Sequence, residues 1–513
     1  MNKFLPGKAA AIVLVFIAAV PALAADGSTV PIRIESGLVS GIEHDGVQSF
    51  KGIPFAAPPV GKLRWRAPQP PAKWDGTRKA DDFGPVCWQE PRNEDDPIAA
   101  MPMSEDCLSL NIYRPAQSAA KLPVMVWIYG GGLTAGASAL PVYDGAAFAK
   151  HGVILVSINY RLGRLGIFAH PLLIEENADG GRLGNYALMD QIFALEWIKR
   201  NIAAFGGDPN KVTIFGESAG GLSVDTLMIS PLARGLFQQA ITESGYGRAS
   251  FMRVSEVAPD GQPPAESEGI AVVQALGMAN ATLDELRAVP PERVVARDVL
   301  NAPNFPNFVH DGVTVTMDMW DAFRKGAEAP VPWLVGSNSQ ESPAMLIGGP
   351  AIERYLEPDE IPGLMAAYGG ETELRKHLSG DITFTEQARA LAQMHRSNGH
   401  KVFYYSFGVV SAEDDATGKG AVHAAELPYV FNTLPQWRHP EFASLPDHTA
   451  AAKLTNAMWA AFGKTGDPSV PGAGWPAYDG QSVMSITRAG VSYGADPRGP
   501  GLDALAKLLG PRS

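Results

Sequence analysis

One stretch near the middle of the chain constrains the fold most strongly: Val212-Thr213-Ile214-Phe215-Gly216-Glu217-Ser218-Ala219-Gly220-Gly221. Its first four residues are β-branched or aromatic and predict a buried strand. Gly216 to Gly220 then match the pattern G-x-S-x-G, and a helix-like run to Ile229 follows. A strand, a tight turn and a helix in this order hold a nucleophilic Ser on a strained turn. We therefore interpret Ser218 as a nucleophile and not as part of a simple Gly-rich turn.

Segments with strand character alternate with segments of helical spacing on both sides of this stretch. Strands are predicted at 123–129, 153–159, 240–242, 331–335 and 401–407, and helices at 185–205 and 450–464. Such alternation predicts an α/β fold with a mostly parallel central sheet, right-handed crossovers and flanking helices.

The remaining segments predict additions to this sheet and no second domain. Residues 31–50 alternate and contain Gly breaks, which predicts N-terminal β-hairpins. Residues 255–302 and 343–396 are rich in helix and poor in strands. We interpret them as helical excursions over the active site. A single catalytic domain over residues 25–513 is the expected organisation.

The first 24 residues have the pattern of a signal peptide. Lys3 and Lys8 supply positive charge, residues 9–20 form a short apolar run, and Ala22-Leu23-Ala24 supplies a small-x-small cleavage site. An uncleaved anchor is the alternative. No later stretch reaches about 18 continuous apolar residues, so we expect no stable membrane anchor. The mature protein is expected in the periplasm or the extracellular space.

Charge and cysteine content exclude some classes of function. The formal net charge is −12, which disfavours nucleic-acid binding because that requires a basic surface. Cys87 and Cys107 are the two cysteines of the chain. Export favours a disulfide between them, with two free thiols as the alternative. Two cysteines without a nearby His cannot complete a metal shell.

A nucleophilic Ser needs a base and an acid. Seven His residues follow Ser218, and His423 lies in a loop before an apolar helix start, where catalytic residues are usually presented. In enzymes with this elbow the acid lies between Ser and His in sequence and follows a strand. Glu341 follows the predicted strand 331–335, while Asp311 and Asp318 remain competitors.

The oxyanion of an acyl-transfer intermediate needs backbone N–H donors. Gly131 and Gly132 follow the predicted strand 123–129, and Ala219 follows the nucleophile. These three residues are the predicted oxyanion hole, with a flexible glycine turn as the alternative for the first two.

Three long motifs together resemble the type-B carboxylesterase family, which includes the cholinesterases. They are Gly52-Ile53-Pro54-Phe55-Ala56-Ala57-Pro58-Pro59-Val60-Gly61, Ser104-Glu105-Asp106-Cys107-Leu108-Ser109-Leu110-Asn111 and the segment from Phe205 to Gly221. The resemblance covers most of the mature chain. It implies an α/β-hydrolase fold without any metal or organic cofactor.

Residue by residue, the resemblance implies a triad of Ser218, Glu341 and His423. It also implies the oxyanion donors Gly131, Gly132 and Ala219 and a Cys87–Cys107 disulfide. Glu217 corresponds to a cholinesterase residue that modulates the site. Tyr129 stands where many family members have His, and Pro97 stands where cholinesterases carry their choline-stacking Trp. Choline esters are therefore not the expected substrates.

The predicted function is that of an exported serine carboxylesterase acting on small-molecule esters through an acyl-enzyme. One alternative is a hydrolase specialised for a natural-product, phenolic or xenobiotic ester. A lipase is a weaker alternative, since no long apolar lid segment is evident. A catalytically dead adhesion relative is the weakest, because such relatives lose the nucleophile. The sequence predicts neither the particular ester nor the oligomeric state.

Overall fold

The computed structural model describes residues 27–510 apart from positions 92, 94–95, 118–120, 249, 259–260, 297–298, 300–306, 342–355 and 357–358. The predicted signal peptide, residues 1–24, lies outside the described residues. Within the described part of the chain, no helix combines the length and the apolar character that crossing a bilayer requires.

Eighteen strands are present in the described residues, and most belong to one sheet. They are β1 (Ile32–Ile34), β2 (Gly37–Ser40), β3 (Ile42–His44), β4 (Val47–Pro54), β5 (Thr77–Lys79), β6 (Val86–Cys87), β7 (Met103–Ser104), β8 (Ser109–Pro115), β9 (Leu122–Ile128), β10 (Ile154–Ile158), β11 (Gly207–Glu217), β12 (Gln239–Glu243), β13 (Met252–Arg253), β14 (Val309–His310), β15 (Trp333–Asn338), β16 (Val402–Gly408), β17 (Ser482–Thr487) and β18 (Gly490–Ala495).

The helices lie between the strands and after them. They are α1 (Ala146–Lys150), α2 (Gly163–Gly166), α3 (Pro171–Glu176), α4 (Tyr186–Asn201), α5 (Ala219–Ile229), α6 (Ala265–Ala275), α7 (Leu283–Arg287), α8 (Pro291–Val295), α9 (Met319–Arg324), α10 (Ile361–Tyr368), α11 (Glu371–Gly380), α12 (Glu386–Ser397), α13 (Ala412–Ala416), α14 (Leu427–Val430), α15 (Pro446–Thr465) and α16 (Gly499–Leu509).

The main sheet has eleven strands in the order β18-β17-β16-β15-β12-β11-β9-β10-β8-β4-β3. The strands from β10 to β17 pair in parallel, whereas the pairs at both edges are antiparallel. The central strands are buried on both faces, which explains their continuous apolar sequences. This is the mostly parallel α/β sheet that the sequence predicts.

The predicted elements of the sheet are confirmed, with shifted boundaries. The strand before the nucleophile starts at Gly207 and not at Val212, with a register shift between these two residues. The helix predicted at 185–205 is α4, followed by a short 3₁₀ turn that ends at Gly206 with φ 84°. The N-terminal hairpins β1–β2 and β3–β4 are present. The C-terminal hairpin β17–β18 is not among the predicted elements.

The two helix-rich segments differ in how they pack. In the first, α6, α7 and α8 form a second apolar cluster with Trp65, Phe168 and Tyr186. In the second, α10 and α11 form a small cluster with α16. Helix α12, however, packs against β15 and β16 and leads directly into β16. Helix α12 therefore covers the central sheet, in agreement with the interpretation of residues 343–396 as an excursion packed over the sheet.

Cys87 and Cys107 form a disulfide, as predicted, with a sequence separation of 20 residues. Both residues are buried, and Cys87 lies in β6, which pairs in parallel with β7. The bridge therefore closes the loop that precedes β8, a strand of the main sheet.

Candidate active site

Ser218 lies at the sharp turn between β11 and α5. Its backbone has φ 57° and ψ −122°, a conformation that costs free energy for a residue with a side chain. The Ser218 N–H donates to the Glu243 carbonyl at 2.9 Å, and the Ser218 carbonyl accepts the first helical bond from Leu222 at 2.8 Å. These two bonds fix the strained residue between β12 and the start of α5.

Two glycines allow the strand and the helix to approach at this turn. A Cβ on Gly220 would lie 2.0 Å from the Ile128 carbonyl oxygen, and one on Gly216 would lie 2.6 Å from Gly220 backbone atoms. No side chain fits at either position without moving the backbone. The small residues of G-x-S-x-G are therefore a steric requirement of the elbow.

The loop after β9 lies directly beside the elbow. A Cβ on Gly130 would approach the Glu217 carbonyl oxygen to 2.5 Å and Ser218 Cβ to 3.0 Å. Gly131 and Gly132 have φ values of 109° and 66°, which favour glycine. The Gly131 carbonyl accepts hydrogen bonds from the backbone of residues 134 and 135, so the loop is ordered.

Tyr129 anchors the start of this loop and does not enter the site. Its hydroxyl donates to the Tyr160 carbonyl at 3.3 Å, and the Tyr160 hydroxyl donates to the Tyr129 carbonyl at 2.6 Å. The two rings stack with centroids 4.5 Å apart. Tyr129, which stands in place of His, therefore still holds the backbone of the glycine loop in position.

Glu341 and His423 form a direct hydrogen-bonded pair. His423 Nδ1 lies 2.7 Å from Glu341 Oε2. The other carboxylate oxygen, Oε1, accepts from the Asn338 N–H at 2.9 Å and from the Ser244 hydroxyl. Glu341 is only 3% exposed, so these bonds hold its carboxylate in one orientation. This is the arrangement that fixes the tautomer of a catalytic imidazole.

The competing carboxylates are occupied elsewhere. Asp318 forms an ion pair with Arg253 at 2.8 Å and accepts from the Phe251 N–H. Asp311 accepts from three consecutive backbone N–H groups, those of residues 313 to 315. Neither is bound to His423, so the geometry favours Glu341 over both alternatives.

Backbone bonds join the loops that carry the acid and the base. The Gln340 N–H donates to the Ala421 carbonyl at 3.0 Å, and the Gly420 N–H donates to Gln340 Oε1 at 2.7 Å. The Ala421 N–H donates to Ser339 Oγ at 2.9 Å. These bonds join the turn after β15 to the segment directly before His423.

Glu217 brings a second carboxylate to the imidazole. Its Oε1 lies 3.2 Å from His423 Nε2, the nitrogen opposite the one that contacts Glu341. Since Glu217 directly precedes Ser218, this nitrogen lies at the elbow. Burial by itself lowers the pKa of His423, but the charges of Glu217 and Glu341 outweigh it and raise that pKa to about 10.

We expect this raised pKa to govern the pH profile. A general base acts in its neutral form, so kcat/KM should rise with pH and its acidic limb should lie above the ordinary pKa of His. Glu217→Gln removes one charge that favours the imidazolium, and should move the acidic limb down by about 1–3 pH units. Initial rates of ester hydrolysis from pH 5 to pH 10 measure this shift.

Glu441→Gln is the matched control for this experiment. Glu441 also contacts a His, since its Oε1 lies 3.1 Å from His439 Nδ1, but both residues are exposed. Its profile should match that of the wild type. An acidic limb that does not move in Glu217→Gln would contradict the electrostatic role of Glu217.

Two further carboxyls behind the imidazole were missed by sequence reasoning. Glu243, at the end of β12, accepts from Trp459 Nε1 at 2.8 Å, and Glu426 accepts from Asn338 Nδ2. Burial raises the pKa of both, that of Glu426 to about 8, and the neighbouring glutamates add to the effect. Burial therefore favours the neutral form of both carboxyls. The position of Glu426, three residues after His423, is the sequence signal that could have identified it as part of the site.

Aromatic residues complete the wall of the site. Phe384 stacks on the His423 ring with centroids 4.6 Å apart, and Tyr246 lies 5.0 Å from Phe384. Tyr246 is close enough to Ser218 to interact with its side chain, and burial raises the pKa of the Tyr246 hydroxyl. Phe384 belongs to a π-helical turn at Asp381–Thr385, and nothing in its local sequence indicates that position.

Comparison with known proteins agrees with this geometry. The model of the Carboxylesterase family matches residues 28–357 and 370–498. A fumonisin B1 esterase of Sphingopyxis macrogoltabida is 37% identical over 484 residues, covering 90% of this chain and 86% of the relative. The para-nitrobenzyl esterase of Bacillus subtilis is 34% identical over 468 residues, covering 87% of this chain and 92% of the relative.

Solved structures show the same fold. A PNB esterase structure superposes with a TM-score of 0.78 at 31% identity, covering 93% of this chain and 99% of the other. A carboxylesterase of Geobacillus stearothermophilus gives a TM-score of 0.78 at 32% identity, covering 93% and 100%. Both are α/β-hydrolase folds, matched over nearly the whole of this chain. The chain therefore belongs to the carboxylesterase family and is a carboxylic ester hydrolase.

Proposed function

We propose that Ser218, His423 and Glu341 are the catalytic triad of this ester hydrolase. The 2.7 Å contact between His423 Nδ1 and Glu341 Oε2, beside the strained Ser218, is the observation that carries the proposal. The N–H groups of Gly131, Gly132 and Ala219 are the proposed oxyanion donors, because the glycine loop lies against the elbow.

In the proposed mechanism, Ser218 Oγ attacks the ester carbonyl carbon while its proton passes to His423 Nε2. The oxygen of the tetrahedral intermediate becomes negative and accepts from the backbone donors. The C–O bond to the alcohol then breaks, and His423 returns the proton to the leaving oxygen. Water repeats the sequence on the acyl-enzyme and releases the acid and free Ser218.

A phosphonate label tests the nucleophile directly. A p-nitrophenyl alkylphosphonate should react with Ser218 Oγ, releasing p-nitrophenolate in a single equivalent and leaving a stable adduct. Peptide mapping by mass spectrometry should place the adduct on the peptide that contains Ser218. An adduct on another residue, for example the neighbouring Tyr246, would overturn the assignment.

A specialised hydrolase is the second candidate, since two similar relatives carry narrow names. One is the fumonisin B1 esterase, and another is a phenmedipham hydrolase of Pseudarthrobacter oxydans, 32% identical over 501 residues. We expect p-nitrophenyl esters from acetyl to dodecanoyl to be hydrolysed with a preference for short chains. Much slower hydrolysis of all these esters than of fumonisin B1 would favour the specialised enzyme. Preference for long chains with activation at an oil–water interface would favour a lipase.

We further propose export, with residues 1–24 as a signal peptide and residues 25–513 as one catalytic domain. The Cys87–Cys107 disulfide supports this, because disulfides persist in oxidising compartments. N-terminal sequencing of the protein recovered from the periplasm or the medium should start at Ala25. Recovery of the intact leader in the cytoplasm would contradict export.

A further inference from the structure

Three potential metal ligands lie close together at the ends of the central strands opposite the catalytic loops. They are Glu328, His395 and His400, and one ligand atom from each lies within 4.8 Å of the other two. Glu328 precedes β15, His395 lies in α12, and His400 precedes β16. Because β15 and β16 are parallel and their carboxyl ends lead to Glu341 and His423, this cluster lies at the other end of the same strands.

The hydrogen bonds of His395 leave the correct nitrogen for a metal. Its Nε2 donates to the Val331 carbonyl at 2.9 Å, which places the proton on Nε2 because a carbonyl only accepts. Nδ1 lies 2.9 Å from Glu328 Oε1 and faces the cluster. A metal-bound His typically donates its other N–H to a carbonyl or carboxylate in this way.

Glu328 is a buried carboxylate, and one of its oxygens accepts no hydrogen bond from the described residues. It is 2% exposed, and Asn398 Nδ2 donates to its Oε1 at 2.9 Å. Its Oε2 is buried and, among the described residues, meets no donor in hydrogen-bonding geometry. The other partner of its Oε1 is His395, whose contact a metal ion would replace.

His400 provides the third ligand and a route from solvent. Its Nε2 lies 4.0 Å from Glu328 Oε1, too far for a hydrogen bond, and its ring centroid is 4.6 Å from that of His395. Its side chain is 23% exposed. His400 Nε2 therefore faces the cluster from its solvent side.

We propose that Glu328, His395 and His400 bind a Zn²⁺ ion. Two imidazoles and a carboxylate are a donor set that zinc prefers. Bonds of about 2.0–2.2 Å place the ligand atoms of a tetrahedral site about 3.4 Å apart. The distances from Glu328 Oε1 are 2.9 Å to His395 Nδ1 and 4.0 Å to His400 Nε2, one below and one above that value. Solvent at the exposed side of His400 supplies the fourth ligand.

Zinc binding should connect three segments that lie apart in the sequence. The ion would join the residue before β15, helix α12 and the residue before β16, and so stabilise the folded state without contacting the ester. Ligand binding to the folded state alone raises stability by mass action.

The test is a zinc titration of the dialysed full-length mature protein in competition with a chromophoric chelator. The enzyme is first phosphonylated at its nucleophile, so that the catalytic His423 is not the site measured. We expect one zinc per chain and a raised Tm. His400→Gln should weaken binding at least about tenfold, because even loss of an outer hydrogen-bond partner of a metal ligand costs about 10–100-fold.

His439→Gln is the matched control. His439 also pairs with a glutamate but is 60% exposed and distant in sequence, so its replacement should leave zinc affinity unchanged. Zinc affinity that is equal in His400→Gln and the wild type would overturn the proposal, as would the absence of saturable one-to-one binding. His400 makes no side-chain hydrogen bond within the described residues, so this variant should fold, which circular dichroism checks.

Discussion

Replacing Ser218 with Ala should lower kcat/KM for p-nitrophenyl acetate at least about 10³-fold, with the fold intact. The reason is that Ala provides no oxygen for attack, while the oxyanion donors and the acid–base pair stay in place. Ala also loses no backbone contact, because the bonds from Ser218 to Glu243 and Leu222 involve only main-chain atoms. Initial rates with purified protein, together with thermal unfolding, measure both parts of the prediction.

Ser157→Ala is the matched control for this substitution. Ser157 is also a buried Ser, on β10, where its hydroxyl bonds to Asn111 and Ser138 away from the elbow. This variant should retain ester hydrolysis per folded molecule. If Ser218→Ala retained activity within about tenfold of the wild type, another residue would have to be the nucleophile.

Glu341→Gln should lower kcat about 10³–10⁴-fold with little change in KM. A triad acid holds the base in the correct tautomer and stabilises the imidazolium, and its amide replacement fails in both respects. The amide of the introduced Gln can donate an N–H to His423 Nδ1. Nδ1 then accepts that hydrogen bond, so the proton of the neutral imidazole lies on Nε2. That nitrogen is the one that has to receive the Ser218 proton.

Asp318→Asn tests the competing acid in the same assay. Asp318 pairs with Arg253 and does not contact His423, so its loss should lower stability more than activity per folded molecule. A large loss of kcat in Asp318→Asn together with a normal rate in Glu341→Gln would reverse the two assignments. Comparing both variants at matched folded concentration, from unfolding curves, separates the two effects.

The elbow could be predicted from the sequence because its requirements are local. Gly216 and Gly220 are needed by contacts within one turn and with the adjacent strand, and Ser218 lies between them. Glu341 could be placed only within a small set of carboxylates, because the sequence shows that it follows a strand but not what its side chain contacts. The structure favours it because its Oε2 lies 2.7 Å from His423 Nδ1, while Ser244 and Asn338 bind its other oxygen.

Other parts of the site depend on contacts that no local pattern reveals. Glu243 and Phe384 reach the site from β12 and from a π-helical turn, and both resemble ordinary residues in their own segments. The hairpin β17–β18 has an exposed outer strand with few apolar residues, so its sequence gives a weak strand signal. The helical spacing of α12 likewise does not show which strands the helix covers, and only the structure identifies them as β15 and β16.

The bonded loops that carry Glu341 and His423 have a mechanical consequence. Because Gln340 bonds to Gly420 and Ala421, the acid and the base are held in one hydrogen-bonded unit. Ser218 is joined to the same unit through β12, because its N–H bonds to the Glu243 carbonyl and the next residue, Ser244, bonds to Glu341. Activity on warming should therefore be lost together with this part of the sheet.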